Sequence, residues 1–136
     1  LANPNALLLA NSCFQIVHSI GMPEARIPLA EVTIYLASSA KSNSAYRAIN
    51  DAMQMAKDTQ TASVPLYLRN APTKLMGELG YGDGYKYAHD YPGHFADLEF
   101  MPSELVGHKF YEPDDNKQED NLRVRLETLW PKYYKD

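Results

Sequence analysis

The chain has 136 residues, 45% of them apolar and 22% charged, which is the make-up of a soluble globular protein and by length predicts one domain over 1–136. No apolar run approaches the ~20 residues of a membrane span, Leu7-Leu8-Leu9 is too short for a signal-peptide core, and a single cysteine excludes both an internal disulfide and a thiolate zinc cluster. The net charge of −4 lies wholly in residues 95–136, with no basic stripe of the kind that grips nucleic acid by neutralising phosphates.

Asn3-Pro4 predicts a helix start, with Asn as N-cap and Pro at the first helical position. Leu7, Ala10, Cys13 or Phe14, Val17 and Ile20 then follow a helical apolar period until Gly21 stops the helix. Leu7, Leu8 and Leu9 together span about 200° of the circumference, more than one neighbour usually covers. Pro28 lies just inside a second helix running to about Ala37. Ile27, Leu29, Val32, Ile34, Tyr35 and Leu36 spread around most of it, so it is either central or covered by a partner.

After a polar connector, a third helix from Ser44 to about Thr59 turns Ala45, Ala48, Ile49, Ala52, Met53 and Ala56 inward. Pro65 and Pro72 limit VPLYLRNAP to a turn or short helix, and Thr73 caps a brief helix over 74–79 closed by Gly80. One helical turn is predicted at 103–106. Pro113 to Asn116 leads into a last helix, 117–129, with Leu122, Leu126 and Leu129 inward and Pro131 as its end. Glu119 and Asp120 read as first-turn charges that suit the helix dipole.

Between the helices lies the most unusual stretch, Gly80 to Phe95. Gly80, Gly82 and Gly84 permit positive φ, and Tyr85, Tyr87, His89 and Tyr91 occupy alternate positions, which on an extended chain share one face. Rings so dense must pack on the helical body or on another subunit. With Lys86 and Arg69 they could also stack single-stranded bases, although the acidic balance favours packing or a protein interface.

Chemistry is otherwise sparse. The glycines lack the third position of a dinucleotide fingerprint, and no Gly-Lys-Ser/Thr exists for a phosphate loop. His89, Asp90, His94 and His108 match no standard zinc spacing, Ser103 sits beside Pro102 rather than in a nucleophile elbow, and Cys13 belongs to an apolar helix face. The candidates for packing or interface are therefore Leu8, Ile34 and Tyr35 on the first two helices, and Tyr85, Tyr87, His89 and Tyr91 in the glycine-aromatic stretch.

The run GYGDGYKYAHDYPGHF, with VPLYLRNAPTKLMGELG before it and HKFYEPDD after it, closely resembles the C-terminal region of the RarA/MgsA replication-associated recombination ATPases, relatives of the Werner-helicase-interacting proteins. NPNALLLANS, GMPEARIPLAEVTIYLA and KSNSAYRAI extend the resemblance over essentially the whole chain. It implies a mainly all-α helical bundle like a clamp-loader C-terminal oligomerisation domain, with a Gly/Tyr-rich irregular segment and a C-terminal helix. It also implies assembly into homotetramers, with no catalytic, cofactor or metal residues in this part. The AAA+ module, its ATP and magnesium sites and DNA-stimulated hydrolysis at stalled forks would lie upstream of Leu1. DNA and single-strand-binding protein are implied partners of the whole protein, in the bacterial cytoplasm at the nucleoid and not on a membrane. Ala40 in place of a proline, His94 in place of a glycine and the acidic run 116–121 depart from the family pattern.

Overall fold

The computed structural model describes residues 1–135, and these are helical or irregular with no strand among them, as a mainly all-α fold requires. The helices are α1 (Asn5–Ile20), α2 (Arg26–Ser38), α3 (Ser44–Asp58), α4 (Lys74–Glu78), α5 (Lys117–Leu129) and α6 (Pro131–Tyr134). Contacts sort the chain into two units. One holds Leu1–Ala48 with Tyr111–Arg123, and the other holds Ile49–Phe110 with the chain from Val124 onward.

In the first unit α1 packs on α2. The start of α1 differs from expectation: Pro4, not Asn3, occupies the cap position, and no side chain caps the helix. Asn3 is drawn away because its Nδ2 donates to Tyr35 Oη and to Ser39 Oγ, both at 2.9 Å, while the Tyr35 hydroxyl donates back to Asn3 Oδ1. Gly21, at φ +68°, ends α1 as predicted, its N–H donating to the carbonyl of Val17.

The covered stripes are made mainly of small residues. On α1 they are Ala6, Ala10, Cys13 and Val17; facing them are Ala25 at the cap of α2, and Pro28 and Val32 on it, with Tyr35 the one large member. Leu7 and Ile20, expected inward, are exposed, as is Phe14. The physical reason is spacing: alanine and cysteine let two helix backbones approach closely, and leucine or phenylalanine at those positions would hold them apart.

α3 meets expectation in part. Ala48 and Ala52 are covered as predicted, in a stripe with Ser44, Met55 and, just past the helix, Thr59, while Ala45, Ile49, Met53 and Ala56 face out. The two stripes are one residue apart, about 100° around the helix, and apolar content alone does not choose between them. Ser44 does choose, because it is 1% exposed and hydrogen-bonds into a buried polar cluster.

In the second unit, Leu66–Leu68 forms a 3₁₀ turn and Thr73 caps α4, its Oγ1 accepting from Met76 N at 3.3 Å. α4 ends in a Schellman pair, Gly80 N to Gly77 O and Tyr81 N to Met76 O, with Gly80 at φ +81°. Further 3₁₀ turns occupy Ala88–Asp90, Pro92–His94 and Ser103–Leu105. Trp130 gathers the rings of Phe95, Phe100 and Tyr133 at centroid distances of 5.1, 5.8 and 6.3 Å. Pro131 ends α5 but does not end the helical chain: it is the first residue of α6, where its lack of an N–H is harmless.

Candidate functional site

The outer surface of α1 and α2 carries the most exposed large apolar side chains of the first unit. Leu7 is 77% exposed, Phe14, Ile27 and Ile34 are each 68% exposed, and Leu8 is 65% exposed. Large apolar side chains thus face outward while alanine, cysteine and proline face inward, the reverse of the usual sorting. Leu1–Pro23 contains no Asp, Glu, Lys or Arg, and α2 adds only Arg26 and Glu31. Of the sequence-predicted candidates, Leu8 and Ile34 lie on this surface. Tyr35 does not; it is half-covered and engaged with Asn3.

The same unit contains a polar hub that the dipole argument missed. Glu119 is 0% exposed. Its Oε2 accepts from the Tyr111 hydroxyl at 2.8 Å and from Asp114 N at 3.1 Å, and its Oε1 accepts from Asn116 Nδ2 at 2.9 Å. Glu119 N donates in turn to Asn116 Oδ1, so the Asn116 side chain caps the first turn of α5 while its amide also holds the carboxylate. Burial works to raise the Glu119 pKa, but hydrogen bonds from Ser42, Ser44, Asn116 and Tyr111 outweigh it and hold the carboxyl well below the usual range. Beside it Asp114 accepts from Ser42 Oγ at 2.7 Å and Asn43 N at 3.1 Å and pairs with Arg47; the Ser42 and Arg47 bonds lower its pKa. The legible signal was the Asn116-x-x-Glu119 spacing of a capping box. The buried polar atoms of this hub find their partners within the chain, so the hub holds α5 to the segments around it.

The glycine-aromatic stretch is in the second unit and is not extended. The 3₁₀ turns at 88–90 and 92–94 break the alternation that would align Tyr85, Tyr87, His89 and Tyr91 on one face. The Tyr87 and His89 rings meet at 5.0 Å and those of His89 and His94 at 4.9 Å, both pairs tilted by about 50°. Tyr85, Tyr87 and His89 are exposed, and Tyr91 marginally so, instead of packing under the chain. The neighbouring cations are engaged by the chain: Lys86 donates to the Asp97 carbonyl at 3.2 Å, and Arg69 to the Val64 carbonyl at 2.7 Å while lying over the Tyr81 ring.

Most backbone N–H groups of the glycine run are engaged within the chain. A phosphate cradle needs free backbone N–H groups. Here the N–H groups of Gly80, Tyr81, Gly82, Asp83 and Tyr85 are all bonded to carbonyls, Gly82 reaching Leu66 O at 2.9 Å. No three His, Cys, Asp or Glu side chains among the described residues are placed to share a metal ion.

A second carboxylate hub lies in this unit. Glu99 Oε1 accepts from Phe100 N and Met101 N at 2.9 and 3.0 Å, and Oε2 accepts from Tyr133 Oη at 2.7 Å and Lys132 Nζ at 3.0 Å. Burial opposes its ionisation, yet the Met101 N–H, Tyr133 and Lys132 bring its pKa down to about 2. Glu99 thereby ties α6 to the loop before the Ser103 turn.

A protein-family model described as "MgsA AAA+ ATPase C terminal" matches residues 1–130. The chain is 41% identical over 127 residues to the Replication-associated recombination protein A of Coxiella burnetii, covering 93% of this chain and 29% of that protein. With the protein of the same name from Escherichia coli strain K12 it shares 36% over 129 residues, 94% of this chain and 29% of the relative. With the ATPase WRNIP1 of Dictyostelium discoideum it shares 36% over 113 residues, 82% of this chain and 13% of the relative. The chain thus spans less than a third of the length of these curated relatives.

Proposed function

The chain belongs to the family of MgsA AAA+ ATPase C-terminal regions, and from that premise we propose that it is the self-assembly domain of a longer ATPase acting in DNA replication, recombination and repair. The observation that carries this reading is the inverted sorting of α1 and α2, small residues inward and Leu7, Phe14, Ile27 and Ile34 outward. Apolar surface of this kind gains about 25 cal/mol for each Å² removed from water, and a neighbour is what removes it. Four copies is the number that the family resemblance implies, and closed symmetry is the usual outcome of such contacts.

In this reading the chemistry belongs to the remainder of the longer protein. ATP and magnesium are held there, and DNA at stalled forks stimulates hydrolysis there. Single-strand-binding protein is a partner of the whole assembly, which works in the bacterial cytoplasm at the nucleoid. The spent N–H groups of the glycine stretch favour a chain that takes no nucleotide itself.

The test is the mass of the chain in dilute solution. Light scattering coupled to size-exclusion chromatography, at low-micromolar concentration and two salt levels, is expected to give a species of several subunits in both, because an apolar contact is little screened. A 15.3 kDa species in both would overturn self-assembly and leave a monomeric partner-binding module in its place.

A further inference from the structure

We propose that His89 and His94 form an open site for a divalent transition-metal ion of the zinc class, held by two imidazoles with water in its remaining positions. Their ring centroids stand 4.9 Å apart, the planes inclined by 54°. Two imidazoles on one tetrahedral ion, with metal–nitrogen bonds of about 2.0–2.1 Å, have centroids about 5 Å apart. The rings therefore already stand at the spacing that a shared ion sets. On an extended chain the two residues would be about 16 Å apart, so it is the turn between them that makes a pair.

The ring nitrogens are idle. Both histidines are exposed, and among the described residues neither imidazole takes part in a hydrogen bond or an ion pair; they touch only Tyr87 and each other as rings. A neutral imidazole with an unshared nitrogen offers a lone pair to a cation.

The backbone holds the rings in place. His94 sits at φ +54°, a conformation that a Cβ disfavours, and its N–H donates to the Tyr91 carbonyl at 3.0 Å across Gly93 at φ +67°. The turn before it is closed by Asp90 N to Tyr87 O at 3.0 Å and by Tyr91 N to Ala88 O at 3.1 Å. Strained backbone kept in this way gathers at ligand sites.

The surroundings suit a cation of this class. Asp83, Asp90 and Asp97 share the stretch with a single basic residue, Lys86, which is engaged by the Asp97 carbonyl. Nitrogen ligands select zinc, nickel or copper over magnesium and calcium, which take oxygen. With two side chains as ligands rather than three, the site stays open. His108 meets Phe110 instead of a second imidazole, so it makes no such pair.

The experiment titrates the chain, free of any histidine tag, with zinc chloride, reading heat and the ring-proton NMR signals of the four histidines. One ion per chain is expected, with two of the four histidines shifting. His89→Ala and His94→Gly should each weaken binding at least tenfold, while His108→Ala keeps the wild-type affinity. Without zinc, His94→Gly should melt higher than wild type, since it relieves the positive φ, so its lost binding is not lost folding. No saturable binding by wild type up to millimolar zinc overturns the site, as does His94→Gly binding like wild type. Equal weakening by His108→Ala, or an equal response to magnesium chloride, overturns it too, because the ion would then be held by charge alone or elsewhere.

Discussion

The hydroxyl of Tyr111 donates to Glu119 Oε2 at 2.8 Å, inside a pocket that leaves Glu119 no exposed surface. A fully enclosed carboxylate is tolerable only because its oxygens meet Tyr111, Asp114 N and Asn116. Glu119→Ala removes the acceptor and strands these donors together, so a loss of about 3 kcal/mol or more is expected in urea denaturation. Glu119→Gln keeps one carbonyl acceptor and costs less. Equal stability of Glu119→Ala and wild type would show that water replaces the carboxylate freely.

Acid should loosen the second unit through Glu99. Its folded pKa, about 2, lies below the ordinary 4.5, so its contribution is complete above pH 4.5 and fades as pH falls toward 2. The contribution is at most about 3 kcal/mol. Glu99→Gln should be less stable than wild type at pH 7 and show a flatter decline between pH 5 and 2. Chemical denaturation at several pH values reads both, and parallel curves would assign the acid sensitivity to other groups. Glu119, also lowered, adds a loss of the same sign in wild type and variant alike.

Two glycines three residues apart should respond with opposite signs. Gly80 sits at φ +81° as the residue that closes α4, so Gly80→Ala should cost about 1 kcal/mol. Gly77 lies inside α4 with open space where a Cβ would go, so Gly77→Ala should add about 0.5–1 kcal/mol. Thermal melts of the two variants give the comparison, and a shift in the same direction for both would contradict the turn described here.

The rings of the glycine-aromatic stretch should contribute little to stability. Tyr87 is 54% exposed, so Tyr87→Ala is expected to cost under about 1 kcal/mol. Trp130, set among Phe95, Phe100 and Tyr133, should cost about 3 kcal/mol or more as Trp130→Ala. Similar melting temperatures for the two variants would mean that Tyr87 is covered in solution.

Local signals were legible wherever one residue type forces the backbone. Thr73, Gly80 and Gly21 set helix ends because a hydroxyl cap and a positive φ leave few alternatives. The start of α5 came from Pro113 to Asn116 and its end from Pro131 in the same way. Facing was less legible. Along α1 and α3 apolar residues occur on adjacent stripes, and periodicity cannot say whether Ala10 or Leu7, Ala52 or Met53, is the one a neighbour needs. Burial of Glu119 and Glu99 was not legible from charge at all, since each depends on partners from distant segments such as Ser42 and Tyr133. On the outer surface, Ile27 and Ile34 were already marked by the all-round apolar character of α2, whereas the outward position of Phe14 followed only once the covered stripe of α1 was known.

The placement of two unique side chains gives the molecule a built-in pair of optical and chemical probes. The one tryptophan, Trp130, sits in an aromatic cluster of the second unit, and its fluorescence follows the opening of that unit. The one cysteine, Cys13, is buried on the inward stripe of α1 in the first unit, and its rate of labelling by a thiol reagent follows the parting of α1 from α2. Recorded on one sample, emission and labelling separate the unfolding of the two units without any added dye or substitution.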